Sequence, residues 1–117
     1  MTRDSIREGL VDLAEACEKA SGPDRDLDTD IFCQEILREN PGRETFRPAA
    51  AMLAPRYTAS IDAAMSLVPE GHDADVYIRQ RRSTAMVIIP EGGGRQSYAA
   101  TPALALVAAA LRAKAQS

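Results

Sequence analysis

The chain has 117 residues, 45% of them apolar, with no tryptophan, two cysteines and a formal net charge of −3. That length suits one domain spanning residues 1–117, with a core that needs no disulfide or metal staple, and so mild a charge does not demand a nucleic-acid partner. No stretch approaches the roughly 18 uninterrupted apolar residues of a membrane span, and the charged residues scattered through the N-terminal segment exclude the continuous apolar core of a secretory signal.

The two halves differ in charge. Residues 1–50 hold seven Lys/Arg and twelve Asp/Glu, net −5; residues 51–117 hold seven and five, net +2. An acidic front and a mildly basic back can attract each other or different partners.

The first helix is predicted from about Thr2 to Ala20. Ile6, Leu10, Leu13 and Cys17 recur on one face, and Ser5 followed by Glu8 has capping-box spacing. Ser21-Gly22-Pro23 stops it, because Gly suits the position after a helix end and Pro cannot continue the ladder. A second helix follows, with Leu27, Ile31 and Ile36/Leu37 as its stripe, and Asn40-Pro41-Gly42 closes it. Residues 1–40 are thus an N-terminal helix pair. Cys17 and Cys33 fall on these helices, and without an export signal both are expected as reduced, buried thiols.

Residues 41–56 carry three prolines and no clean period, so they read as an irregular connector with a turn of helix at Ala49–Leu53. Residues 57–117 read as a helix–sheet–helix core. Thr58 is placed as the cap of a short helix with Ile61, Ala64, Met65 and Val68 inward, ended by Pro69-Glu70-Gly71. From Asp75 to Arg82 the residues alternate: Val76 and Ile78 point to the core, and Tyr77, Arg79 and Arg81 point away. Thr84–Ile89 is a more buried, β-branched strand, Glu91-Gly92-Gly93-Gly94 a turn, and Gln96–Ala99 a short third strand. Thr101-Pro102 starts the last helix, with Leu104, Val107, Ala108 and Leu111 as its core stripe and Arg112 and Lys114 at the negative end of its dipole. The fold class is α+β: a helix pair, then a helix, two or three antiparallel strands and a helix, with the helices on one face of the sheet.

Three stretches carry a resemblance: Gly22-Pro23-Asp24-Arg25-Asp26-Leu27-Asp28; Tyr57-Thr58-Ala59-Ser60-Ile61-Asp62-Ala63-Ala64 continuing through Leu67-Val68-Pro69-Glu70-Gly71; and Ala100-Thr101-Pro102-Ala103-Leu104-Ala105-Leu106 with the Ala-rich run to Ala113. In order and spacing they resemble small phage and prophage proteins built on the phage ABA sandwich domain. The resemblance implies an α–β–α sandwich and a bacteriophage or prophage origin; with no export signal, the expected location is the cytoplasm of a bacterial host cell. The resemblance brings no catalytic residues with it. After Gly71 the family carries tryptophans where this chain has His72-Asp73-Ala74-Asp75.

Several constellations invite chemistry. Asp24, Asp26, Asp28, Asp30 and Glu35 have the spacing of an EF-hand calcium loop, but Thr29 stands where the sharp turn needs Gly, and acids in a first helical turn are stabilised by the dipole without a metal. His72 with Asp73 and Asp75 has zinc-ligand chemistry yet lacks a full ligand set nearby. His72 is also the chain's sole imidazole, which leaves Cys17 and Cys33 without a base held by a third group. Gly92-Gly93-Gly94 lacks the Lys-Ser/Thr of a phosphate loop.

The remaining feature is a basic set of Tyr77, Arg79, Arg81, Arg82 and Arg95, in which an aromatic among guanidiniums suits interface contact, phosphate contact or base stacking. The helix–three-strand–helix order also resembles the double-stranded RNA-binding fold, but that fold holds the RNA backbone with lysines at the start of its last helix, and Thr101-Pro102-Ala103-Leu104 offers none. The expectation is a non-enzymatic protein with no catalytic residues, metal or cofactor. It acts by self-assembly or by contact with a host or phage protein, inhibition of host defence among the roles this allows. The alternatives are a weak nucleic-acid-binding module using the same face and, third, a metal-dependent enzyme around His72.

Overall fold

The computed structural model describes residues 3–40 and 42–116. Helix α1 (Arg3–Lys19) buries Leu10, Ala14 and Cys17, with Ile6 and Leu13 packed at the edge of the core. Thr2 lies outside the described residues. Because the helix is already formed at Arg3, Ser5 sits within its first turn and is not the N-cap that the capping-box spacing suggests.

Helix α2 (Arg25–Glu39) begins at Asp24, whose carboxylate accepts from the backbone N–H groups of Asp26 and Leu27. This satisfies two of the donors that a helix start leaves orphaned. Of the predicted stripe Ile31 is fully buried and Leu27 packs against the core; Asp28 and Thr29 are also buried. Asn40 caps the C-terminus and Gly42 follows with φ 93°, while Pro41 lies outside the described residues.

The burial of Asp28 explains one correction. Its Oδ1 accepts from both the backbone N–H and the hydroxyl of Thr58 (2.8 Å each), and Thr58 Oγ1 accepts in turn from Asp24 N–H at 2.9 Å. Thr58 is therefore a clamp between the start of α2 and the connector, and not the cap of the next helix. That cap is Ser60, whose hydroxyl accepts from Ala63 N–H at 3.2 Å. Before it, the connector forms helix α3 (Arg47–Leu53), which packs on α2. Arg47 pairs with Asp30, and Arg25 donates to the Ala51 carbonyl at 2.9 Å.

Helix α4 (Ile61–Met65) differs in its inward face. Ala64 and Leu67 are buried, whereas Ile61 and Met65 stay exposed. After Met65 the bonds shorten to i→i−3 (Leu67 N–H to Ala64 O, Val68 N–H to Met65 O), and in that tighter winding residues three apart eclipse. Leu67 thus follows Ala64 inward.

Strands β1 (Asp73–Tyr77), β2 (Ser83–Ile88) and β3 (Gly94–Ala99) form an antiparallel sheet in the order β1-β2-β3. The third strand is present. The first is shifted from its predicted span: it begins at Asp73, two residues before Asp75, and ends at Tyr77. Thr84 pairs with Tyr77, so residues 78–82 have no strand opposite them and form the connection. Ile78 is consequently 73% exposed and does not enter the core. Between β2 and β3, Gly92 and Gly93 turn the chain at φ 107° and 84°, values that a residue without Cβ adopts freely.

Helix α5 (Pro102–Ala115) starts as predicted, Thr101 Oγ1 accepting from Leu104 N–H at 3.2 Å with Pro102 in the first turn. It is buried far beyond a stripe: every residue from Ala103 to Leu111 is inaccessible or nearly so. The helix lies between the sheet on one side and α1 and α4 on the other, so all the helices stand on one face of the sheet and the layers run sheet–helix–helix, not with helices on both faces as in the α–β–α sandwich that the resemblance implies. At its C-terminus Arg112 pairs with Glu18 and Lys114 with Glu35, each at 2.6 Å, tying the basic half of the chain to the acidic half.

Candidate functional site on the open face of the sheet

Strand alternation decides what the helix-free face carries. Ala74, Val76, Ala85, Val87, Ser97 and Ala99 turn toward the helices and are buried or half-buried. The opposite parity makes three rows across the sheet: Tyr77–Thr84–Tyr98, Asp75–Met86–Gln96 and Asp73–Ile88–Gly94.

At the end nearest the β1–β2 connection a groove of about 520 Å³ opens, lined by Tyr77, Arg79, Arg81, Arg82, Thr84, Gln96 and Tyr98. Tyr77 and Tyr98 are 54% and 52% exposed and flank Thr84, which they leave only 6% accessible. Gln96 donates to the Tyr98 hydroxyl at 3.1 Å, which fixes that ring's outer edge. Arg82 bridges the Glu18 and Tyr98 carbonyls (3.1 and 2.8 Å), so it pins the connection to α1 and β3. Arg79 and Arg81 are exposed and, among the described residues, have neither a hydrogen bond nor an ion pair.

Four of the five predicted residues therefore converge, although Arg79 and Arg81 reach the face from the connection and not by strand alternation. Arg95 does not join them. It has the parity of Ser97 and Ala99, stands opposite Val87 on the helix side, and donates to the Gly94 carbonyl at 2.8 Å. The residues missed were Thr84, Gln96 and Tyr98. Small Ser97 and Ala99 at alternate positions of β3 were the signal that Gln96 and Tyr98 face outward.

The other constellations are occupied structurally. Asp24 caps α2, Asp28 holds Thr58, and Asp26 and Asp30 face Arg47. His72 Nδ1 lies 3.3 Å from the Glu70 carbonyl, and among the described residues no three His, Cys, Asp or Glu side chains converge as a metal site. Burial, reinforced by the charges of Asp28, Glu18 and Asp24, pushes the Cys17 thiol up to about 12, so it is neutral at physiological pH and no nucleophile.

The arrangement defines an α+β protein with one helix-covered and one bare sheet face. No known protein family, curated protein or solved structure matches the chain. Among the described residues no helix is long and apolar enough to cross a membrane.

Proposed function

We propose that this chain is a non-enzymatic binding protein that acts by protein–protein contact through the bare face of its sheet. The observation that supports this reading is the groove itself: two half-exposed tyrosines and two unpaired arginines gathered around a buried threonine. Tyr and Arg are enriched among the residues that carry binding energy at interfaces: Tyr offers a large rigid area at a low ordering cost, and Arg a planar fork of five donors. The phage resemblance supplies a setting in which such a protein assembles with itself or binds a phage or host protein, a host-defence component included.

Nucleic-acid binding is the second reading, favoured by Arg79 and Arg81 lacking acidic partners. Asp75 and Asp73 on the same face count against it, since they repel a phosphate backbone running along the strands. The first turn of α5, where the double-stranded RNA-binding fold makes its backbone contacts, has Ala103 and Leu104 buried.

The test is capture of partners by a tagged chain co-expressed with an untagged copy in a bacterial host. One defined protein, either that copy or another chain, is expected in the eluate with the wild type and lost with Arg79→Glu/Arg81→Glu. Retention of nucleic acid alone, with a slope of log affinity against log salt near about −3 for three arginines, would overturn the contact reading.

A further inference from the structure

We infer that the partner of the bare face is a second copy of this chain, docked face to face about a twofold axis. This rests on the contact reading above and names its partner. The face is polarised along the strands. Asp73 and Asp75 lie toward the β2–β3 turn, which also carries Glu91, while Arg79, Arg81 and Arg82 lie at the opposite end.

Two identical faces meet about a twofold lying in the plane between them, and that axis has two limiting directions. An axis running along the strands lays β1 over β3: it stacks the arginine end on the arginine end and sets Asp73 and Asp75 over Gly94 and Gln96. An axis running across the strands reverses their direction and sets each basic end over the other copy's acidic end, twice in one interface. Like charges brought together on desolvation cost affinity and opposite charges fix register; stacking Arg79, Arg81 and Arg82 of one copy on those of the other outweighs the single Asp75 pair of the second arrangement, which the charge pattern therefore selects.

The side chains fit the same choice. With the axis over the middle row, that row lies on itself: Met86 meets Met86, Gln96 meets Gln96 and Asp75 meets Asp75 of the second copy. The Tyr77–Thr84–Tyr98 row then lies over the Asp73–Ile88–Gly94 row. Tyr98 comes over Gly94, where no side chain stands; a Cβ there would lie 3.3 Å from Met86 Cγ, on the bare face. Thr84 comes over Ile88, and the Tyr77 ring over Asp73. Large thus meets small along one edge, half-buried apolar Met86 and Ile88 fill the middle, and ion pairs close the ends.

The size sets the strength. Three strands about 4.8 Å apart and about 20 Å long, widened by two tyrosines and the arginine arms, cover on the order of 500 Å² per copy, so roughly 1,000 Å² in all. That is the lower limit for a specific interface, and it fits a reversible dimer in the micromolar range.

Sedimentation from about 1 µM to about 1 mM tests this. The wild type is expected to pass from monomer to dimer. Arg79→Glu/Arg81→Glu and Asp73→Lys/Asp75→Lys should each weaken self-association at least about tenfold, because each makes both ends of the face alike. Mixed one to one, the two variants should form a heterodimer, since positions 79 and 81 of each then face opposite charge at positions 73 and 75 of the other. All four positions are exposed, and circular dichroism of each variant checks that it folds.

A wild type that stays monomeric, a dimer indifferent to both reversals, or a mixture that does not associate would each overturn the second-copy assignment. If the wild type is monomeric while the capture experiment still yields another protein that Arg79→Glu/Arg81→Glu loses, the contact reading stands and only the partner is wrong. If neither experiment detects a partner, both fall.

Discussion

Helix α5 and the bare face of the sheet lie on opposite sides of β2, and they divide the side chains against expectation. The helix is enclosed on every side yet made largely of alanine. The bare face, next to water, keeps Tyr77, Tyr98, Met86 and Ile88, and α3 with the residue that precedes it exposes Phe46, Met52 and Leu53. A helix wedged between a sheet and other helices has little room around it, so small side chains let all three layers approach. Each alanine buries little area, however, and the few large residues of α5 carry a disproportionate share of the packing energy. In this protein the bulky groups that remain outside are the ones available for contact.

The largest effect that can test this comparison is the loss of a leucine from α5. Leu104→Ala or Leu111→Ala should cost about 2–5 kcal/mol in urea melts. The upper part of that range is expected, because the surrounding alanines have no flexible side chain with which to fill the cavity. A cost below about 1 kcal/mol would mean that the helix is not the centre of the core.

The elements legible in the sequence were those fixed by local chemistry. Gly22-Pro23 ends α1, Thr101-Pro102 starts α5, and the glycines at 92 and 93 turn β2 into β3. What was not legible depended on distant partners. Thr58 and Ser60 are equally good caps by sequence; Thr58 is withdrawn from that role by Asp28, thirty residues away. The alternation of Val76 and Ile78 continues past Tyr77, but a strand lasts only while another strand lies opposite, and β2 offers none to Ile78. At the candidate site, Tyr77 could be found from alternation, and its arginines from charge alone, since they reach the face from the connection. Tyr98 and Thr84 became part of it only through the register of β2 with its two neighbours. The full burial of α5 was hidden because a period search counts leucines and treats alanine as neutral.

A smaller effect is expected at the start of the same helix. Thr101→Ala removes the acceptor for Leu104 N–H and should lower stability by about 1 kcal/mol, while Thr101→Ser should restore most of it. Urea melts of the pair separate loss of the hydroxyl from loss of the methyl. If serine failed to rescue, packing of the threonine methyl and not the cap would be the source of the effect.

The smallest effect belongs to the bare face, where the comparison predicts contact without stability. Arg79→Glu/Arg81→Glu removes two side chains that make no hydrogen bond or ion pair among the described residues, so its intrinsic cost should lie within about 0.5 kcal/mol. The measurement must be made at about 1 µM, below the dissociation constant expected for the dimer, because association stabilises the folded state by mass action. As protein concentration rises, the melting temperature of the wild type should climb while that of the double variant stays flat. At low concentration the two curves should meet. A gap that persists there would mean that these arginines stabilise the monomer, and the division between a packing core and a contact face would fail at this point. A wild-type melting temperature that ignores concentration would instead place the partner outside the chain.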